Sequence, residues 1–191
     1  MTIVIDNYDS FTWNIVQALR MLGEHEITVV RNDTRTVAEL EALQPARLVL
    51  SSGPGKPAQA GILCDVIRTF APRVPLLGIG LGHLALGEVC GATILRAAVP
   101  LHGKTADITG DGEQLFRGIE NPFKGMCYHS LLLDPASLPQ TLVVTARAAD
   151  GTIMAIRHRD YPAAGLQFHP ESIMTPIGKR LFRNFLRQEV R

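Results

Sequence analysis

At 191 residues, with 46% apolar residues and a formal net charge of +1, the chain can bury a large core and carries no charge excess to draw it to nucleic acid or a membrane surface. No uninterrupted apolar run is long enough to span a bilayer, and the chain opens directly on the strand-like Thr2-Ile3-Val4-Ile5-Asp6. Its three cysteines, Cys64, Cys90 and Cys127, are an odd set without metal-ligand spacing, which suits a reducing compartment; the expected location is the cytoplasm.

The patterning predicts one α/β domain over residues 1–191. Ser10 is placed to cap a helix whose Phe11, Ile15, Leu19 and Leu22 share a face and which Gly23 ends, before a strand at Ile27-Thr28-Val29-Val30. Thr36 with Glu39 forms a capping-box pattern for a short helix closed by Pro45, and Arg47-Leu48-Val49-Leu50 reads as the next strand. Ile62 to Phe70 reads as helix, with Cys64 and Cys90 as buried packing residues, and Val74 to Ile79 as a buried strand. Three such strand–helix alternations imply an open, mostly parallel twisted sheet with helices on both faces. After Gly91 the pattern turns to antiparallel β structure, with turn signals at Asp111-Gly112 and Asp150-Gly151 around Thr141–Val144 and Thr152–Ile156. Thr175-Pro176 opens a terminal helix with Ile177, Leu181, Phe182, Phe185 and Leu186 inward; its Lys179, Arg180, Arg183 and Arg187 read as a solvated face.

The most informative stretch is Val74-Pro75-Leu76-Leu77-Gly78-Ile79-Gly80-Leu81-Gly82-His83, an apolar strand ending in a Gly-flanked turn that enters a helix. That is the layout of a nucleophile elbow, which pushes one side chain up at the sheet's carboxyl edge, yet Gly80 has no side chain to push. Downstream, Gln167-Phe168-His169-Pro170-Glu171-Ser172 supplies a base and an orienting carboxylate two residues apart, which share a side if the backbone there is extended. Equally, the two can be a hydrogen-bonded pair that only fixes a loop. The Gly78–Gly82 run fails the Gly-x-Gly-x-x-Gly spacing of a dinucleotide site, and His83, His102 and His129 fit no metal-ligand pattern, so neither a cofactor nor a metal is expected.

Taken in order, Ile5-Asp6-Asn7-Tyr8-Asp9-Ser10-Phe11-Thr12, Leu50-Ser51-Ser52-Gly53-Pro54-Gly55, the elbow, His102-Gly103-Lys104-Thr105, Tyr128-His129-Ser130-Leu131 and Gln167–Ser172 resemble the class I glutamine amidotransferases over essentially the whole chain. The likeness is greatest to the small subunits of anthranilate and aminodeoxychorismate synthases. It implies a flavodoxin-like fold and, for a partner, a chorismate-using synthase large subunit. In that family the elbow reads Gly-x-Cys-x-Gly-His-Gln, so Gly80 stands where the nucleophile belongs and Leu84 where the glutamine belongs.

By the same resemblance His169 and Glu171 complete the catalytic set and the N–H groups of Gly55 and Leu81 form the oxyanion hole. Gly53, Pro54, Gly55, Leu84, Ser130 and Leu131 line the substrate pocket. Losing the nucleophile of such an enzyme costs about 10⁶ in rate, or roughly 8 kcal/mol of barrier. Leu84 removes a polar partner as well, at about 1–3 kcal/mol per unpaired ligand group, so glutamine binding is expected to be weak or absent. The expectation is a silent structural or regulatory subunit, including a form that binds another small ligand in the old pocket. The alternative is a working glutaminase, through Cys127 beside Tyr128-His129 or because Gly80 was introduced into an active enzyme. On the first reading Gly80→Cys restores little and Gly80→Cys with Leu84→Gln restores more.

Overall fold

The computed structural model describes residues 1–188. In chain order these form β1 (Thr2–Asp6), α1 (Thr12–Arg20), β2 (Ile27–Arg31), α2 (Val37–Ala42), β3 (Arg47–Leu50), α3 (Leu63–Phe70), β4 (Leu76–Ile79) and α4 (Leu81–Val89). Then follow β5 (Ile94–Gly110), β6 (Phe123–Leu133), β7 (Leu142–Ala148), β8 (Ile153–His158), β9 (Ala163–Leu166) and α5 (Gly178–Leu186). The strands make one sheet in the order β2-β1-β3-β4-β9-β8-β7-β5-β6. Its first five members are parallel, and β8, β7, β5 and β6 add on antiparallel. The parallel part, 2-1-3-4-9, has the flavodoxin-like order, in which the order of strand addition reverses between β1 and β3 and the crevice beyond the carboxyl ends is the natural ligand site.

Period-two alternation divides the core in two. Ile3, Ile5, Leu48, Leu50 and Leu76 face a cluster shared with α2, α3 and α4, whereas Val4, Val49, Leu77 and Ile79 face one shared with α1 and α5. Both faces of the central strands are covered, which is why their sequences read as unbroken apolar runs. Among the described residues no helix is long and apolar enough to cross a membrane.

Several local expectations shift. Ser10 does not cap α1: Phe11 takes the cap position without a side-chain cap, is 39% exposed, and the buried face is Thr12, Ile15, Val16 and Leu19. The loop before the helix is instead closed by Asp6, whose Oδ1 accepts from Thr12 Oγ1 (2.7 Å) and Asp9 N (3.2 Å). The Thr36–Glu39 capping box forms as read. Asp150-Gly151 turns β7 into β8, but Asp111-Gly112 closes no tight hairpin; residues 111–122 run through a short 3₁₀ turn before β6. Cys64 and Cys90 are half-buried rather than buried.

Candidate active site

Strand β4 passes into α4 through Gly80, whose backbone lies at φ +53°, ψ −104°. A side chain is strained there, by about 1–3 kcal/mol, and glycine is not. Gly80 N donates to Leu166 O of β9 (2.8 Å) and Leu84 N to Gly80 O (3.0 Å), so the turn is tied to the sheet on one side and the helix on the other. A Cβ added at residue 80 would lie 3.5 Å from Nε2 of His169. It would also lie 2.3 Å from Ser52 Oγ and 2.8 Å from Ser52 Cβ, closer than non-bonded atoms approach. The place that an elbow gives its nucleophile therefore holds the side chain of Ser52.

His169 and Glu171 come together although the backbone is not regular strand. His169 makes an isolated bridge to Met126 of β6, with its N–H on Met126 O at 2.9 Å. Thr175 Oγ1 secures the same spot by donating to His169 O (2.7 Å) and accepting from Met126 N (3.0 Å). Nδ1 of His169 then meets Glu171 Oε1 at 2.6 Å, with the two side chains only 3% and 1% exposed. A carboxylate at that distance accepts the Nδ1 proton, which in the neutral ring leaves Nε2 as the acceptor. That Nε2 is buried and has no hydrogen-bond partner among the described residues. Tyr128 stands edge-on to the imidazole at 5.2 Å and also packs on His102 and Phe11.

The loop after β3 closes the other side. Asn7, at the end of β1, donates its N–H to Ser51 Oγ (2.9 Å) and its side-chain amide to Ser51 O (2.8 Å), and Ser51 Oγ donates to Ser52 O (2.7 Å). Gly53 packs so closely on this turn that a Cβ would lie 2.3 Å from Asn7 O. Gly55, at φ +78°, and Pro54 are exposed beyond it. Leu81 N, the first amide of α4, points at Ser52 Oγ at 3.5 Å. Ser52 and the amide of Leu81 thus meet at the corner that His169 lines, with Gly53–Gly55 following Ser52 in the chain.

The remaining candidates are more scattered. Leu84 is 4% exposed, within the apolar cluster under α4, and Leu131 packs against that cluster from β6; Ser130 is exposed. Cys127 faces the opposite cluster, fully buried, with Sγ 3.5 Å from Gly125 O, and burial pushes its thiol up to about 11. A thiol so placed is inert at neutral pH. Burial lowers His83 to about 4 and lowers His129 too, so both rings are neutral at pH 7. Two neighbours of the site escaped the sequence reading. Ser52 showed only as a member of a loop motif, and Asp9, half-buried, has its carboxyl raised first by burial, with His169 and Glu171 close enough to act on it in opposite senses.

What the arrangement can do is hold a proton-accepting imidazole in a defined tautomer beside a helix N-terminus; it presents no nucleophile at the elbow. Comparison with known proteins gives the family. The chain is 50% identical over 186 residues to the aminodeoxychorismate/anthranilate synthase component 2 of Bacillus subtilis, covering 97% of this chain and 95% of that one. It is 49% identical to the aminodeoxychorismate synthase component 2 of Escherichia coli (97% and 99% covered) and 46% identical to the anthranilate synthase component 2 of Thermus thermophilus (96% and 90% covered). Among solved structures it superposes on a protein from Thermoplasma acidophilum assigned to GMP synthase, with a TM-score of 0.85 at 26% identity, over 97% of this chain and 92% of the other. The sequence model of glutamine amidotransferase class-I matches residues 3–189, and with relatives this similar over nearly their full lengths the chain belongs to the class I glutamine amidotransferases.

Proposed function

We propose that this protein is the amidotransferase-type small subunit of a chorismate-using synthase, of the anthranilate or aminodeoxychorismate kind, and that it does not itself hydrolyse glutamine. The partner follows from relatives that are component 2 of such synthases and match this chain from end to end. The silence rests on one observation: residue 80, aimed at the unpartnered Nε2 of His169, is a glycine, and the side chain of Ser52 stands in its place. Amide cleavage by this scaffold needs a group that attacks the carbonyl carbon while an imidazole takes its proton. His169 and Glu171 supply the second part; the elbow itself supplies nothing for the first, and the Ser52 hydroxyl beside it makes no hydrogen bond to His169 Nε2 that would activate it.

Glutamine fares poorly for a second reason, since the motif position that carries a glutamine in the family is here Leu84, buried in the apolar cluster, which offers no polar partner. The protein then works by contact, ordering its partner in the cytoplasm while free ammonia provides nitrogen. The test is co-expression with a chorismate-using synthase subunit, co-purification, and comparison of glutamine with ammonium salts as nitrogen donor. Product with ammonium alone, and no glutamate released from glutamine by the wild-type protein or the complex, is the expected result. Glutamate release above a heat-killed control ends the proposal.

A further inference from the structure

We propose that Ser52 is what keeps this site closed: its side chain occupies the place of a side chain at residue 80 and engages the first amide of α4, so positions 52 and 80 form one coupled unit. The proposal deepens the reading of Gly80 as a vacated nucleophile position. Three observations carry it.

The first is steric. Rotation of Ser52 about χ1 moves Oγ away from a Cβ at residue 80, but the 2.8 Å approach of Ser52 Cβ is untouched by any rotamer. The second is that the loop cannot easily retreat. Asn7 holds Ser51 through both its backbone and its side-chain N–H, Ser51 Oγ holds Ser52 O, Asn32 Nδ2 holds Asn7 Oδ1 at 3.1 Å, and Gly53 already abuts Asn7. The third is polar. Helix α4 has no side-chain cap of its own, and Ser52 Oγ, 3.5 Å from Leu81 N, accepts from an amide that would otherwise be open to a developing oxyanion.

One side chain thereby fills the attacking position and covers a stabilising donor. Restoring a thiol at residue 80 is then insufficient, and adding Leu84→Gln does not change this, because the obstruction lies on the β3 loop.

The experiment is a mutant cycle read by thermal unfolding, with Gly80→Ala made in the wild type, in Ser52→Ala and in Ser52→Gly. Backbone strain at residue 80 is common to all three and cancels. Gly80→Ala should lower Tm most in the wild type, less with Ser52→Ala, which removes Oγ but keeps Cβ, and least with Ser52→Gly. An equal loss in all three backgrounds overturns the proposal. A chemical readout accompanies it: in Ser52→Gly/Gly80→Cys the new thiol should be alkylated by iodoacetamide at pH 6–7 at least about tenfold faster than in Gly80→Cys alone, and His169→Asn should abolish the difference. Equal, His169-dependent reactivity in Gly80→Cys alone refutes the coupling. If Gly80→Cys does not fold, the alanine cycle decides by itself. Glutamate release by the unaltered protein bears on the silent-subunit reading only, so the two ideas fail separately.

Discussion

At His169 one ring nitrogen is held by a carboxylate at 2.6 Å and the other by nothing among the described residues, an asymmetry that decides what substitutions there do. In a working site the Glu171 contact would be read in turnover; in the silent subunit proposed above it should be read in stability. Glu171→Ala strands Nδ1–H in a buried setting and should cost about 1–3 kcal/mol of unfolding free energy in urea titrations, with glutamate release at background before and after. An intact urea midpoint would show that water replaces the carboxylate freely. Cys127 makes a second prediction at this scale. With its thiol raised to about 11 by burial, the thiolate fraction at pH 8 is on the order of 10⁻³, so Cys127 should be the last of the three cysteines alkylated in the native protein, as peptide mapping would reveal. The pairing of His169 with Glu171 was legible in the sequence because two-residue spacing is short-range information. Ser52 was not, because its role depends on how closely the β3 loop approaches the β4 turn, a distance between segments far apart in the chain.

Among the elements, α4 carries the most constraint: every residue from Leu81 to Gly87 is buried, so the helix runs inside the molecule rather than along its surface. A histidine in that helix pays for burial by staying neutral, and His83, fully buried, is lowered to about 4 from an ordinary 6.5, mainly by desolvation, with the Gly165 backbone opposing the shift and the nearby His129 adding a little to it. A folded-state pKa below the unfolded one means that the unfolded chain binds the proton first on acidification. The stability is therefore complete above pH 6.5 and is lost as pH falls toward 4, by about 3 kcal/mol over that window. His83→Leu should flatten the pH dependence of the urea midpoint between pH 6.5 and 4; an unchanged slope would assign the acid sensitivity to other groups. Elements set by local chemistry, such as the Thr36–Glu39 box and the Arg47–Leu50 strand, were legible. The start of α1 was not, since bonds from the Thr12 hydroxyl and the Asp9 backbone N–H to the Asp6 carboxylate replaced the cap expected of Ser10. Nor was the length of β5, whose exposed face and register shifts at Arg96/Leu101 and His102/Lys104 break any alternation.

On the scale of the whole molecule, the carboxyl edge of the parallel strands gathers Asn7, Ser52, Gly80 and His169 from four separate segments, which is what the alternating strand–helix order leads one to expect of an α/β sheet. Beside it lies a groove of about 730 Å³ that includes Phe11, Met21, Tyr128, Ile173 and Met174. Ile173 is 94% exposed, Met21 61% and Met174 52%, a concentration of large apolar side chains that a monomer has no reason to show to water. If the protein acts by holding a synthase subunit over this edge, these residues should contribute to that contact, whereas their substitution should leave the fold alone. Ile173→Glu removes apolar area from the interface and adds a charge that must be desolvated there, so co-purification with the synthase should fall at least tenfold. The Tm of the isolated small subunit should stay within the range typical of surface changes, about 0.5 kcal/mol in stability. Undiminished association of Ile173→Glu would place the partner on another face, while a large drop in Tm would mean that Ile173 supports the fold itself.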